Sequence, residues 1–186
     1  MTLWGGGNVL AVVPKPLLRQ WREELWDLIE LPSAIWTGRG WEDERGVFHP
    51  APGVEGLRAC PRKFGIVSGG LVVQSQAVAD VLTSMPYECV IVDEAHKARR
   101  RNLGPSHVND AADPNNLLRF LCAISNRTTS LLLATATPVQ LDPIEAFDLL
   151  HALNGLECSV LGTSFSPWLT QPRTGLAYVL GQADPP

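Results

Sequence analysis

The segment with the clearest chemical potential is Val90–His96, V-I-V-D-E-A-H. It continues a mostly apolar run that is typical of a strand buried in a parallel sheet, and it places two carboxylates, Asp93 and Glu94, directly after that strand. Such sheets bind ligands beyond the carboxyl ends of their strands. In nucleotide hydrolysis a carboxylate there holds Mg²⁺ through its water shell, which is the role expected of Asp93. A second carboxylate orients or polarises the attacking water, which is the role expected of Glu94.

A second segment, Leu131–Gln140 (L-L-L-A-T-A-T-P-V-Q), also begins as an apolar strand. It ends in Thr135 and Thr137, whose hydroxyls can hydrogen-bond to Glu94 and His96 if the two strands are neighbours. Each segment also has an ordinary interpretation. The Asp–Glu pair can be a polar strand end with a helix-capping aspartate, and the threonines can belong to a turn fixed by a proline. The order of the segments, with about forty residues between them, favours the functional interpretation.

The elements that would position these residues alternate along the chain. Short apolar runs predict strands over residues 9–13, 34–37, 64–68, 87–92 and 130–134. Apolar residues at helical spacing predict helices over residues 15–29, 71–82, 117–124 and 143–153. Residues rich in glycine, proline or charge predict irregular structure over 38–62 and 99–114. The alternation indicates βαβ units, and therefore an α/β fold with a parallel sheet between layers of helices.

Composition limits the class of protein. The 186 residues are 45% hydrophobic and 18% charged with a net charge of −4, which indicates a globular domain and disfavours a dedicated basic nucleic-acid module. A local basic stripe is still available at Lys97, Arg99, Arg100 and Arg101. No apolar run has membrane-spanning length, and none of the four cysteines forms a C-x-x-C pair. We therefore expect no membrane partner and a reducing, cytoplasmic location.

Taken together, these segments resemble the superfamily-two helicases, and within them the Swi/Snf-type ATPases. Val9–Trp21 is similar to motif Ia of that family, Phe64–Leu71 to motif Ib, Asp93–Asn102 to motif II and Ala134–Gln140 to motif III. The resemblance covers roughly residues 8–154. It implies a RecA-like, three-layer αβα lobe with a mostly parallel sheet in residues 1–155, followed by an irregular tail or the start of an insertion in residues 156–186.

The resemblance also implies cofactors, partners and residue roles. The family uses ATP and Mg²⁺ and moves along double-stranded DNA, so those are the expected cofactors and the expected nucleic-acid partner. Lys15 and Ser68 correspond to residues that contact DNA phosphates, although Lys15 has an alternative interpretation as a solvated lysine at a helix start. His96 would couple the ATP site to Thr135 and Thr137 of motif III.

The sequence departs from this family in one important respect. It contains no G-x-x-x-x-G-K-[ST] phosphate loop, and Gly5–Gly7 are followed by Asn8 and Val9 instead of a lysine. The expected lobe is therefore truncated at its N-terminus and inactive by itself. The phosphate-loop region and a second lobe would act as partners in cis or in trans. The alternatives are a degenerate, non-hydrolysing lobe that binds DNA or protein, and an α/β small-molecule-binding domain of another type.

Overall fold

The structure is a computed structural model that describes residues 6–107, 110–139, 141–154, 160–162 and 165–184. Gly5 and Gln140, which belong to segments discussed above, lie outside the described residues. The chain divides into two compact units. The first unit consists of Met1–Glu94 with Arg127–Ala134, and the second of Ala95–Asn126 with Thr135–Pro186.

The first unit is built on a seven-stranded sheet. Its strands are β1 (Val9–Val13), β2 (Ser33–Trp36), β3 (Gly40–Asp43), β4 (Phe48–Pro50), β5 (Phe64–Ser68), β6 (Tyr87–Val92) and β7 (Thr128–Leu133). The strand order is β4-β3-β2-β5-β1-β6-β7. Strands β2, β5, β1, β6 and β7 pair in parallel, whereas β3 is antiparallel to both of its neighbours, β2 and β4. The predicted α/β fold with a mostly parallel sheet is confirmed, and the arrangement is consistent with the three-layer RecA-like fold.

Apolar residues on both faces explain why β1 lies inside the sheet. All five of its residues are buried, and its registers align Val9 with Phe64 on β5 and with Cys89 on β6. Three helices belong to this unit: α1 (Leu18–Ile29), α2 (Gly69–Gln74) and α3 (Gln76–Thr83). Leu18, Trp21 and Leu25 of α1 are partly buried and pack against the apolar cluster of the sheet. A short 3-10 turn, Lys15–Leu17, precedes α1.

Two predictions for this unit were wrong. Residues 38–62, expected to be irregular, contain the β3–β4 hairpin and a 3-10 turn at Val54–Ala59. The hairpin escaped prediction because its strands are short and polar. The single helix predicted over 71–82 is instead two helices, because Ser75 interrupts it in an extended conformation and its hydroxyl accepts a hydrogen bond from the Val78 N–H.

A buried carboxylate organises the hairpin. Asp43 is 2% exposed, and its side chain accepts hydrogen bonds from the N–H groups of Arg45 and Val47, from the His49 ring and from Arg62 at 2.8 Å. Burial raises the pKa of Asp43, but these hydrogen bonds and the Arg62 charge outweigh it and lower the pKa overall. The hydrogen bond from Arg62, at 2.7 Å, is the main cause that lowers the pKa of the neighbouring Glu44 carboxyl.

Arg62→Ala should therefore lower the free energy of unfolding by about 2 kcal/mol at neutral pH, because it strips a cation from two buried carboxylates. Both carboxyl pKa values are lowered by folding, so the folded state binds fewer protons in acid and stability declines as the pH falls below about 5. Chemical denaturation at several pH values should show that the difference in the free energy of unfolding between the wild type and Arg62→Ala becomes smaller as the pH falls.

The control is Arg45→Ala, because the Arg45 side chain is 73% exposed and lies 3.7 Å from Glu44. This substitution should change the free energy of unfolding by less than about 0.5 kcal/mol. A pH-independent difference for Arg62→Ala would contradict the assignment.

The second unit is helical. Its helices are α4 (Asn116–Ile124), α5 (Ile144–Leu153), α6 (Pro167–Thr170) and α7 (Pro172–Val179). A small core of Ile144, Phe147 and Leu161 is covered by apolar side chains that include Trp168 and Leu176. Residues 156–186 were expected to be an irregular tail or the start of an insertion, and the described part of that segment holds the helices α6 and α7. Among the described residues, no helix is both long and apolar enough to cross a membrane.

Candidate functional site

The carboxyl edge of the parallel sheet brings several predicted site residues close together within the first unit. The register aligns Val13 with Ser68 on β5 and Val12 with Val92 on β6, so these three neighbouring strands end at the same level. Lys15 follows β1 by two residues, and Asp93 follows β6 directly. Adjacent strands lie about 4.8 Å apart. The structure therefore places Asp93 at the sheet edge where ligands of parallel sheets bind.

The backbone around the two carboxylates is well defined. The Asp93 N–H donates to the Val12 carbonyl at 2.9 Å, which extends the β1–β6 ladder by one residue. The Asp93 carboxylate then accepts a hydrogen bond from the Glu94 N–H at 2.8 Å. Both side chains are half-buried. This bond closes a tight local turn that ends the strand at the carboxylate pair.

Glu94 has a left-handed backbone conformation, with φ of 55°. Among the described non-glycine residues, one other has a positive φ: Glu30, at 51°, which caps the C-terminus of α1. A left-handed conformation at a residue with a Cβ costs roughly 1 kcal/mol or more, and such strain is concentrated at functional sites. Glutamate is therefore a costly residue for the backbone at this position.

Glu94→Gly should raise the free energy of unfolding by about 1 kcal/mol, because glycine adopts positive φ without the Cβ clash. The gain is measurable as a rise of about 2–4 °C in the thermal midpoint. Glu30→Gly is a matched reference, since glycine is also preferred at a left-handed helix C-terminus. If Glu30→Gly stabilises the protein while Glu94→Gly destabilises it, contacts of the Glu94 side chain outweigh the backbone strain at that position.

The two residues that resemble DNA contacts differ in accessibility. Lys15 is exposed in the 3-10 turn that follows β1. Ser68 is buried, with 8% of its surface exposed, and its side chain makes no hydrogen bond to the start of α2. Lys15 is therefore available to an anion on the surface, whereas the Ser68 hydroxyl is largely covered by the protein.

His96 and Thr135 meet within the second unit. Strands β6 and β7 are adjacent and parallel, which is the condition under which this contact was predicted. The His96 Nδ1 and the Thr135 Oγ1 lie 3.0 Å apart, and the same oxygen accepts a hydrogen bond from the Thr137 N–H at 3.2 Å. The predicted hydrogen bond between the two segments is present between His96 and the Thr135 hydroxyl.

The arginines that follow the carboxylate pair do not form the basic stripe that the sequence suggested. Each is paired within the second unit: Arg99 with Glu145 at 3.2 Å, Arg100 with Asp148 at 2.6 Å and Arg101 with Asp113 at 3.3 Å. The sequence did not reveal the first two pairs because their partners lie 46 and 48 residues further along the chain, on α5. Of the four predicted cations, Lys97 and Arg101 are exposed, and Arg101 shares its partner Asp113 with Arg119.

Among the described residues, no group of three or more His, Cys, Asp or Glu side chains could hold a metal ion. Mg²⁺ usually keeps several of its waters and uses one or two carboxylates, so Asp93 could hold it without further protein ligands.

In comparisons with known proteins, no family model matches the chain and no curated protein matches it significantly.

Proposed function

We propose that this chain is part of the first motor lobe of a DNA-dependent ATPase or translocase of the Swi/Snf type. The observation that carries the proposal is the placement of Asp93 and Glu94 at the carboxyl end of a buried parallel strand, with strained backbone at Glu94. The contact of His96 with Thr135 supports it, because it links the segments after β6 and β7. The carboxylate placement and the His96 contact were both expected from the resemblance to motifs II and III.

In this proposal each residue has a separate task. Asp93 would hold Mg²⁺ through its water shell, and bound MgATP would supply the terminal phosphate that a separate water molecule attacks. The Glu94 carboxylate orients that water and accepts its proton. His96, hydrogen-bonded to Thr135, couples the nucleotide site to the segment that follows β7. Lys15 contributes a phosphate contact to double-stranded DNA, and the protein works in the reducing cytoplasm.

The phosphate loop and the second lobe would come from further residues of the same polypeptide or from a partner. Losing a transition-state arginine costs about a thousandfold or more in rate, and losing the lysine of the phosphate loop removes a comparable electrostatic contribution. The 186 residues alone should therefore show no measurable turnover of ATP. Mg²⁺-dependent turnover by these residues, abolished by Glu94→Gln, would overturn that expectation.

The decisive experiment is to sequence the DNA on both sides of this reading frame and to assay the longest protein that it encodes. A G-x-x-x-x-G-K-[ST] segment upstream, a second lobe downstream and ATP hydrolysis stimulated by double-stranded DNA would support the proposal. Flanks without either segment, together with an absence of hydrolysis, would refute it.

The second candidate is a non-hydrolysing lobe that binds DNA or another protein. It is favoured by one observation, the exposure of Lys15 in the turn after β1, which leaves a cation available to a phosphate without any hydrolysis. A fluorescent ATP analogue, titrated with and without Mg²⁺ into the longest protein that the reading frame encodes, distinguishes the candidates. Binding that requires Mg²⁺ and Asp93 supports the motor, whereas DNA binding without any nucleotide binding supports the non-hydrolysing lobe.

A further inference from the structure

The carboxyl edge of the sheet carries an exposed cation, Arg39, in addition to Lys15. Strands β1, β5 and β2 are neighbours, and their parallel registers bring Thr37, directly after β2, level with Ser68 on β5 and Val13 on β1. Arg39 follows Thr37 by two residues, as Lys15 follows Val13. Two strand spacings of about 4.8 Å leave roughly 10 Å between the ends of β1 and β2. The two cations therefore extend from one sheet edge at neighbouring places.

Arg39 lies in a turn whose backbone is fixed by hydrogen bonds. The N–H and the hydroxyl of Thr37 both donate to the Gly40 carbonyl, each at 2.9 Å. The Arg39 carbonyl accepts a hydrogen bond from the Ala51 N–H at 3.2 Å. Gly38 has φ of 93°, a conformation that favours glycine. The turn therefore holds the backbone of Arg39 in one position at the edge of the sheet.

The positive charge at this place is not neutralised within the first unit. Among the described residues, neither Lys15 nor Arg39 forms an ion pair. The first turn of α1 contains no acidic residue. The acidic residues of the β3–β4 hairpin all pair with other arginines: Glu42 with Arg22, and Asp43 and Glu44 with Arg62.

The residues between the two cations leave the edge open to a ligand. Strand β5 ends in Ser68, whose side chain is buried, and continues into Gly69 and Gly70, which have no side chains. Glycine lets a ligand approach the backbone closely. On the other side of β1, the carboxylate of Asp93 follows β6 and would repel an anion. An anionic chain at this edge is therefore favoured over β5 and β2 and disfavoured over β6.

We propose that Arg39 is a further phosphate contact for double-stranded DNA, and that one DNA strand crosses the ends of β1, β5 and β2 between Lys15 and Arg39. This contact deepens the proposed function and rests on it, because DNA is taken as the partner. The guanidinium of an arginine can donate two hydrogen bonds to one phosphate. A span of about 10 Å corresponds to roughly three steps of 3.4 Å along one DNA strand, so the two cations reach different phosphates. The turn Thr37–Gly40 lies between the segments that resemble motifs Ia and Ib, and neither segment contains Arg39.

Binding of duplex DNA by the full 186-residue chain, measured by fluorescence anisotropy at several salt concentrations, tests this contact. Each neutralised phosphate contributes about 0.9 to the slope of the logarithm of the association constant against the logarithm of the salt concentration. Arg39→Gln should therefore reduce the magnitude of this slope by about 0.9, and to the same extent for duplexes of unrelated sequence. Arg39→Lys retains the charge and should retain the slope.

The matched control is Lys63→Gln, which removes the same charge from an exposed side chain. Lys63 precedes β5 and therefore lies at the opposite end of that strand from Ser68, so its removal should leave the slope unchanged. The double variant Lys15→Gln with Arg39→Gln should reduce the slope by about 1.8, the sum of two separate contacts. Circular dichroism checks that each variant is folded.

Nuclear magnetic resonance provides a test that needs no variant. When duplex DNA is added to the wild type, the amide signals of Gly38, Arg39 and Gly40 should shift and that of Lys63 should not. If DNA binds but Arg39→Gln and Lys63→Gln have the same slope, or these three signals stay in place, the Arg39 contact is wrong and the proposed motor is unaffected. A wild-type chain that binds no duplex DNA also overturns the contact, and hydrolysis of ATP by the longest encoded protein then decides separately whether the proposed function fails.

Discussion

Glu94→Gln should reduce ATP hydrolysis by about a hundredfold or more in any protein that joins these residues to a phosphate loop and a second lobe. Glutamine keeps the size and polarity of the side chain but cannot accept a proton from the attacking water. Affinity for ATP and Mg²⁺ should change little, since Asp93 is the residue expected to hold the metal ion. The measurement is steady-state hydrolysis at saturating double-stranded DNA, together with nucleotide binding by a fluorescent analogue.

The appropriate control for this substitution is Glu23→Gln. Glu23 is an exposed glutamate of α1, so the change has the same chemistry and charge but no expected effect on turnover. If Glu94→Gln hydrolyses ATP at close to the wild-type rate, Glu94 is not the general base and the proposed motor chemistry fails. If nucleotide binding is lost instead, Glu94 acts in binding and its assigned role is wrong.

Arg100→Ala should lower the free energy of unfolding by about 3–4 kcal/mol, the largest stability effect that we expect in this protein. Two Arg100 nitrogens donate to the two oxygens of Asp148, at 3.0 and 2.6 Å, and both side chains are about nine-tenths buried. Removing the cation leaves a buried carboxylate without its compensating charge. The measurement is chemical denaturation of the whole chain monitored by circular dichroism.

Two further variants separate the buried pair from ordinary surface charges. Arg101→Ala removes an arginine whose partner Asp113 is also exposed, so its effect should be below about 0.5 kcal/mol. Arg100→Met combined with Asp148→Leu should recover most of the lost stability, because a buried ion pair can often be replaced by apolar side chains. A double variant no more stable than Arg100→Ala would show that the loss arises from packing and not from the unpaired charge.

The sequence predicted the central part of the fold well. Strands β1, β5 and β6 are buried in their parallel sheet, and runs of apolar residues reveal such strands directly. The β3–β4 hairpin could not be recognised in this way, because it contains no run of apolar residues. Its buried residue Asp43 is polar, and its burial depends on hydrogen bonds with His49 and Arg62. Local composition carries no information about partners that folding brings together.

The candidate site was predictable to a similar extent. The position of Asp93 at a strand end was expected from the apolar run that precedes it. The contact of His96 with Thr135 was expected on the condition that the two strands are neighbours. The left-handed backbone of Glu94 was not, since glutamate has no preference for that conformation. The pairing of Arg100 was also missed, because its partner lies on a helix 48 residues away and a run of arginines suggests a DNA-binding surface.

Under the proposed role of Glu94, its positive φ means that selection for stability and selection for function should favour different residues at this position. In a library that samples every amino acid there, screening for protease resistance should enrich glycine and asparagine, which tolerate this backbone most readily. Screening for activity in cells should retain glutamate alone. The difference between the two enrichment profiles would show that position 94 is under functional constraint before any ligand of the protein has been identified.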